Sequence, residues 1–184
     1  IIQHLDKLDD SAKICQAVNT VNHRVGYNTD GYGFVQALLK ADIVLQGHVV
    51  IVGYGGAARS IVYEAVKRLC RIDVLARSQS LQRAQMMVDD FQYDMISVHE
   101  MSSYVPDERI DLLVNATPIG MYPKENVCVG IADEVFEKAK SVFDVVYFPK
   151  NTIFIQKAKV QKCICACGMH MLVYQAAKAH EIWY

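Results

Sequence analysis

The chain has 184 residues, 52% of them hydrophobic and 21% charged, and a formal net charge of −1. This composition builds a globular core and excludes the strongly basic balance of a nucleic-acid binder or of a protein drawn to anionic lipid. No apolar run is long enough to span a bilayer and no signal-peptide pattern opens the chain, while six cysteines at uneven spacing argue for a reducing, cytoplasmic setting rather than a secreted disulfide scaffold.

Ile1, Ile2, Leu5 and Leu8 share one helical face, which predicts a helix from Ile1 to Cys15. Residues 16–19 and 23–27 read as two short strands. Residues 28–33 are rich in turn formers, and Asp30 stands where it would cap a helix carrying Phe34, Leu38 and Leu39. A polar link, 42–47, leads into Val49 to Ser60, VVIVGYGGAARS. Here a buried strand runs into Gly53, Gly55 and Ala58, in G-x-G-x-x-G/A spacing, and then into a helix. The first glycine permits the tight turn, the second lets backbone approach a pyrophosphate, and the small third residue lets helix and strand pack closely. Gly56 and Ala57 open the helix, whose free N–H groups and positive dipole end suit phosphate.

Strand 48–53 and helix 57–70 are followed by strand 72–76, helix 79–91, a short strand near 95–98 and strand 111–115. A loop from Thr117 to Pro123, a helix near 131–140, strand 142–147, a helix at 152–160 and a last helix at 169–183 complete the chain. Alternating strands and helices with short connections predict an α/β fold with a doubly wound parallel sheet of Rossmann type. The expected division is the end of a substrate-binding domain at 1–40, a dinucleotide domain at 41–168, and a C-terminal helix at 169–184 that packs back on the first unit.

An acidic residue about 20 positions after the glycines selects NAD by accepting from the ribose 2′-OH. Asp73 has that spacing but falls mid-strand. The strand tip is Ala76, Arg77 and Ser78, with Arg83 shortly beyond and no carboxylate at the tip to repel phosphate, so NADP is the expected cofactor. Two further loops close strands at the same edge: Asn115 to Met121, and Asp144 to Tyr147.

Six short motifs then occur in order: Ala17-Val18-Asn19-Thr20, Asn28 to Gly33 (NTDGYG), Gly53 to Arg59, Asn115 to Met121, Asp144 to Tyr147, and Met171 to Ala177 (MLVYQAA). As a set, spread over nearly the whole chain, they closely resemble the shikimate dehydrogenases. The resemblance implies NADP-dependent reduction of 3-dehydroshikimate to shikimate, on the route to chorismate and the aromatic amino acids. It also implies an enzyme acting on a small molecule as a monomer or homodimer. By the same resemblance Asp30 is half of a catalytic Lys–Asp pair. Asn19, Asp30, Tyr147 and Gln175 would meet the substrate, and Thr117, Met121 and Gly168 would lie near the nicotinamide. Neutral amides suit a hydroxylated acid, and the carbonyl needs a proton source beside the hydride donor.

The family's catalytic lysine and its carboxylate-binding serines belong to motifs upstream of Ile1, and Lys7 and Lys13 do not match them. The stretch 1–184 on its own is therefore expected to bind NADP without turnover. A non-catalytic NADP-binding homologue and an NAD-preferring quinate or shikimate dehydrogenase are the alternatives. Lys162, Cys167 and His170 depart from the family pattern at the entry to the last helix. Cys163, Cys165, Cys167 and His170 could be read as zinc ligands, but they lack C-x-x-C spacing, the resemblance requires no metal, and buried small hydrophobes are the better account of the thiols.

Overall fold

A computed structural model describes residues 1–184. The front of the chain is a three-stranded unit rather than a long helix. One 3₁₀ turn at Ile2–His4 leads to strand β1 (Lys7–Leu8) and helix α1 (Asp10–Cys15). Asp9 caps α1 by accepting from the Ala12 N–H at 2.8 Å, which fixes the helix start nine residues later than the apolar spacing predicts. Leu5 and Leu8 cover Gly26 instead of a helix partner, and a Cβ on Gly26 would lie 2.6 Å from Leu5 Cδ1. The strand expected at 16–19 is displaced to β2 (Thr20–Asn22), because Gln16 adopts a left-handed conformation (φ 48°) that closes α1. His23 and Arg24 are also left-handed, forming the two-residue turn of a hairpin, so β3 begins at Val25 and ends at Tyr27.

Helix α2 (Asp30–Lys40) follows. Thr29, not Asp30, occupies the cap position, and Asp30 is the first helical residue. Its carboxylate makes no capping bond, contrary to the sequence reading, and is free for other partners.

The remainder is the expected α/β unit. Strands β4 (His48–Val52), β5 (Arg71–Ala76), β6 (Ile96–Glu100), β7 (Ile110–Asn115), β8 (Ala139–Asp144) and β9 (Ile164–Cys167) form one parallel sheet in the order β6-β5-β4-β7-β8-β9. The order reverses between β4 and β7, the switch point at which ligands bind in such sheets. Helices α3 (Gly56–Val66) and α4 (Leu81–Asp89), with α2, cover one face; α5 (Asp133–Glu137) and α6 (Ile153–Val160) cover the other. Along β4, Val49 and Ile51 enter the first layer with Phe34 and Ile61, while Val50 and Val52 enter the second with Phe136 and Phe154. Helix α7 (Met169–Trp183) returns to lie along α2, with Met171 in the first layer.

Several boundaries shift. Helix α3 stops at Val66, because a turn through left-handed Leu69 lets Cys70 N–H bond Ala65 O at 3.1 Å before β5 begins. The 79–91 helix resolves into a 3₁₀ turn (Ser78–Ser80) and α4. The helix near 131–140 is only the five residues of α5, since β8 already starts at Ala139 to stay in register with Ile110. Between the last two helices, where the sequence reading places no element, Ile164–Cys167 forms edge strand β9.

Asp73 is buried mid-strand, as its position in the sequence requires, and is spent on structure. It accepts from Tyr104 Oη at 2.7 Å and pairs with His48 Nε2 at 2.9 Å and His99 Nε2 at 3.3 Å. Burial alone would raise its pKa, but the bonds from His48 and Tyr104 outweigh it and hold the carboxyl at about 2. Burial disfavours the charged His48 ring, and the bond and charge of Asp73 reverse that, raising its pKa. The linkage has two sides. A raised histidine stabilises the fold below its unfolded value near 6.5 and loses that contribution as pH rises through the folded value. The depressed Asp73 contributes above 3.8 and loses it as pH falls towards 2. Urea unfolding should thus find the advantage of wild type over Asp73→Ala largest between about pH 4 and 6.5, at about 3–5 kcal/mol for a broken buried pair. A pH-independent difference would refute the assignment.

Candidate active site

Gly53 ends β4 with φ 112°, a conformation that favours glycine, and a Cβ there would stand 3.0 Å from Thr117 Cγ2 and 3.2 Å from Ala116 O. The β4 turn and the β7 loop are therefore in contact across the switch point. Gly55 faces open space, with nothing within 4 Å of a Cβ position, and Gly56 and Ala57 begin α3 beside it. An approaching phosphate would meet bare backbone and a helix N-terminus here.

The far side of this turn is basic. Arg24, Arg59, Arg68 and Arg71 each hold a carboxylate, whereas Arg77, Arg83 and the distant Arg109 hold none. A cleft of about 380 Å³ opens here, walled by Tyr54, Arg59, Arg83 and Met86 among others. The Tyr54 hydroxyl faces Ser80 and Arg83, and their hydrogen bonds and the nearby positive charge lower its pKa. One expectation fails. The tip of β5 does have a carboxylate beside it: Glu100, paired in register with Ala76, accepts a hydrogen bond from Ser78 Oγ.

On the other side of the switch point a buried polar network sets the two loops. Asn115 Nδ2 donates to Ile119 O at 3.1 Å and to Asp144 Oδ1 at 2.9 Å, while Asn115 Oδ1 accepts from Thr117 N and Oγ1. Asp144 also accepts from Val146 N at 3.1 Å and from Thr152 Oγ1 at 2.6 Å, and Thr152 caps α6. Burial pushes the Asp144 carboxyl up to about 6, offset in part by these three donors. One fully buried carboxylate thus fixes the Thr117 loop, the start of the Tyr147 loop and α6. The sequence placed Asp144 within an expected strand at 142–147; β8 instead ends on it, and its partners were not legible.

Three distant segments meet next to this edge. Asn19 Nδ2 lies 2.8 Å from Asp30 Oδ1, 3.0 Å from Thr29 Oγ1 and 3.4 Å from Gln175 Oε1. Asn19 Oδ1 accepts from Thr29 N at 3.0 Å, which sets the rotamer of the amide. Burial raises the pKa of Asp30, partly offset by Asn19. Ala17, two residues before Asn19, comes within 3.8 Å of a Cβ position on Gly56, so this polar cluster borders the glycine turn. The resulting set is one carboxylate of raised pKa among neutral amides and a hydroxyl, adjoining the open glycine turn at the start of α3.

No family model matches the chain. Curated relatives do. A shikimate dehydrogenase (NADP(+)) of Methanosphaera stadtmanae is 30% identical over 194 residues, covering 100% of this chain and 68% of the relative. The enzyme of the same name from Clostridium perfringens is 35% identical over 189 residues, again covering 68% of the relative. The chain belongs to the shikimate dehydrogenase family. Solved structures agree. A shikimate dehydrogenase in complex with NADP+ superposes with a TM-score of 0.87 at 31% identity, over 100% of this chain and 66% of that one. The Thermus thermophilus enzyme, in complex with NADP(H) and shikimate, gives 0.85 at 29% identity, over 99% and 67%. This chain thus spans about two thirds of the length of the shikimate dehydrogenases it matches.

Not every residue singled out in the sequence joins a cluster. Tyr147 is 42% exposed and its hydroxyl has no hydrogen-bond partner. Met121 bonds only locally, through its N–H to Pro118 O at 3.3 Å and through its carbonyl, which accepts from Lys124 N at 2.7 Å. Gly168 is required where it stands, because a Cβ would fall 1.9 Å from Val145 O. The thiols of Cys163 and Cys165 donate to backbone carbonyls of Ala139 and Cys163, at 3.1 and 3.3 Å. No group of three or more His, Cys, Asp or Glu side chains is placed to hold a metal ion. No helix is long and apolar enough to cross a membrane.

Proposed function

We propose that this chain carries the cofactor domain and part of the substrate site of an NADP-dependent shikimate dehydrogenase, which reduces 3-dehydroshikimate to shikimate reversibly. The observation that carries the reading is the convergence of Asn19, Asp30 and Gln175, from three separate segments, beside the glycine turn. In this reading residues 41–168 hold the cofactor, and residues 1–40 and 169–184 form one wall of the substrate cleft. The pairing of α2 with α7 supports that grouping.

The residues fit the cofactor. Gly53, Gly55, Gly56 and Ala57 would receive the pyrophosphate, Arg77 and Arg83 the 2′-phosphate, and Thr117, Met121 and Gly168 would border the nicotinamide. Ala76 and Ser78 would flank the adenosine ribose. When bound, NADPH supplies the hydride. Asn19 and Gln175 orient substrate hydroxyls, with Tyr147 at the junction of substrate and nicotinamide. Asp30 is one member of the acid–base pair that serves the carbonyl, and burial raises its pKa above the ordinary carboxylate value. The lysine that the family resemblance pairs with Asp30 has no counterpart among residues 1–184. A polypeptide of these residues alone should therefore bind NADP(H) without detectable shikimate oxidation.

Calorimetric titration with NADP and NAD tests the cofactor assignment. NADP should bind more tightly, and Arg77→Ala should cost about 1.5–3 kcal/mol of NADP affinity, as expected for a lost charge-assisted contact. Equal affinities in the unmutated protein would sink the cofactor reading.

A further inference from the structure

Glu100 closes β6 directly beside the tip of β5, in register with Ala76. Its Oε1 accepts from Ser78 Oγ and from Ser102 Oγ, the latter at 2.9 Å. These two serines lower its pKa, so the carboxylate is charged at neutral pH. No arginine or lysine is paired with it. Arg77 follows Ala76 directly, and Arg83 lies shortly beyond without a carboxylate of its own.

Ser78 has one hydroxyl proton. While that proton is donated to Glu100, the oxygen offers only lone pairs to anything else, and lone pairs repel a phosphate oxygen. A 2′-phosphate arriving at Arg77 and Ser78 therefore meets two opposed demands. The guanidinium attracts it, and the Ser78–Glu100 pair must break before the hydroxyl can donate to it. Breaking the pair uncovers a carboxylate next to a second anion. A cofactor with a plain 2′-OH has no such conflict, because a hydroxyl can donate to the Ser78 oxygen as it stands.

We propose that Glu100 is a specificity-determining residue that weakens the preference for a 2′-phosphate, by holding the Ser78 proton and by placing an unpaired negative charge beside the phosphate site. The proposal rests on the assignment of the Arg77–Ser78 tip to the adenosine 2′ position. It makes the chain a less selective binder of NADP than its arginines alone would produce.

Calorimetry with two fragments, 2′,5′-ADP and 5′-AMP, isolates the 2′-phosphate from the nicotinamide and from turnover. Glu100→Gln keeps an acceptor for Ser78 and removes the charge. Its affinity for 2′,5′-ADP should rise about 5- to 20-fold at low salt, and the gain should shrink at high salt as screening removes the repulsion. Affinity for 5′-AMP should stay within about twofold, since its one phosphate, at the 5′ position, would sit at the glycine turn and not beside Glu100. Unchanged 2′,5′-ADP binding in Glu100→Gln, with wild type still favouring 2′,5′-ADP over 5′-AMP, overturns this proposal and leaves the cofactor assignment standing. Equal gains for both fragments also overturn it. If neither protein discriminates between the fragments, the assignment of the tip fails and the proposal fails with it.

Discussion

Asp30→Asn should lower turnover about 100- to 10,000-fold in the full-length protein, the range for loss of a positioned acid or base, and leave NADP affinity unchanged. The geometry separates this from a structural effect. Asp30 is the first residue of α2, and Thr29 stands at the cap position with no side-chain capping bond. If the carboxylate were merely a helix cap, its replacement would cost about 1 kcal/mol of stability and activity would fall only in step with melting. Its partner is instead Asn19 Nδ2, at 2.8 Å, in a cluster that also holds Gln175. Burial is the main cause of its raised pKa, so the variant removes a group that titrates closer to neutral pH than an ordinary aspartate. Steady-state kinetics of wild type and variant, paired with thermal melts, check the result. A fall in activity that merely tracks the melting temperature would return Asp30 to a structural role.

What could be read in the sequence follows from which forces act locally. The parallel sheet was legible because its central strand β4 is buried on both faces and reads as an apolar run, whereas β8, expected at 142–147, opens on Ala139-Lys140-Ser141 and so lies three residues earlier. The glycine turn was legible because backbone sterics at Gly53 are a local matter. The front of the chain was not. Leu5 and Leu8 have helical spacing, yet Asp9 starts the helix later and the two leucines cover Gly26 from another segment. Asp30 matched a capping pattern, and only the long-range approach of Asn19 gave its carboxylate another partner. Glu100 was invisible for the same reason. It lies 22 residues from Ser78 and reaches it only through the register of β5 with β6. The Asp144 network likewise joins Asn115 and Thr152 across three elements. Local pattern carries strands and turns; the pairing of side chains at the site is set by sheet order and helix docking.

Helix docking supplies the second large effect. Gly33 lies in the interior of α2, where glycine is ordinarily a weakness and Gly→Ala gains up to about 1 kcal/mol. Here the sign should reverse. A Cβ on Gly33 would stand 2.6 Å from Met171 O and 2.9 Å from Gln175 Cβ, so α7 must move away from α2 to admit one methyl group. The obstruction is α7 backbone, which cannot step aside as a flexible side chain would. Overpacking of this kind costs about 1–3 kcal/mol. The displaced element carries Gln175, whose Oε1 lies 3.3 Å from Thr29 Oγ1 and 3.4 Å from Asn19 Nδ2, distances that leave no slack for hydrogen bonding. In the full-length protein Gly33→Ala should therefore lower the urea midpoint and raise KM for shikimate about tenfold or more, the equivalent of one lost hydrogen bond to a positioned amide. NADP affinity should change much less, since Gly53, Arg77 and Thr117 lie on the loops after β4, β5 and β7, and of the proposed cofactor residues only Gly168, at the start of α7, moves with that helix. A variant as stable as wild type, with KM unchanged, would mean that the α2–α7 crossing is looser than its geometry requires and that Gln175 does not depend on it.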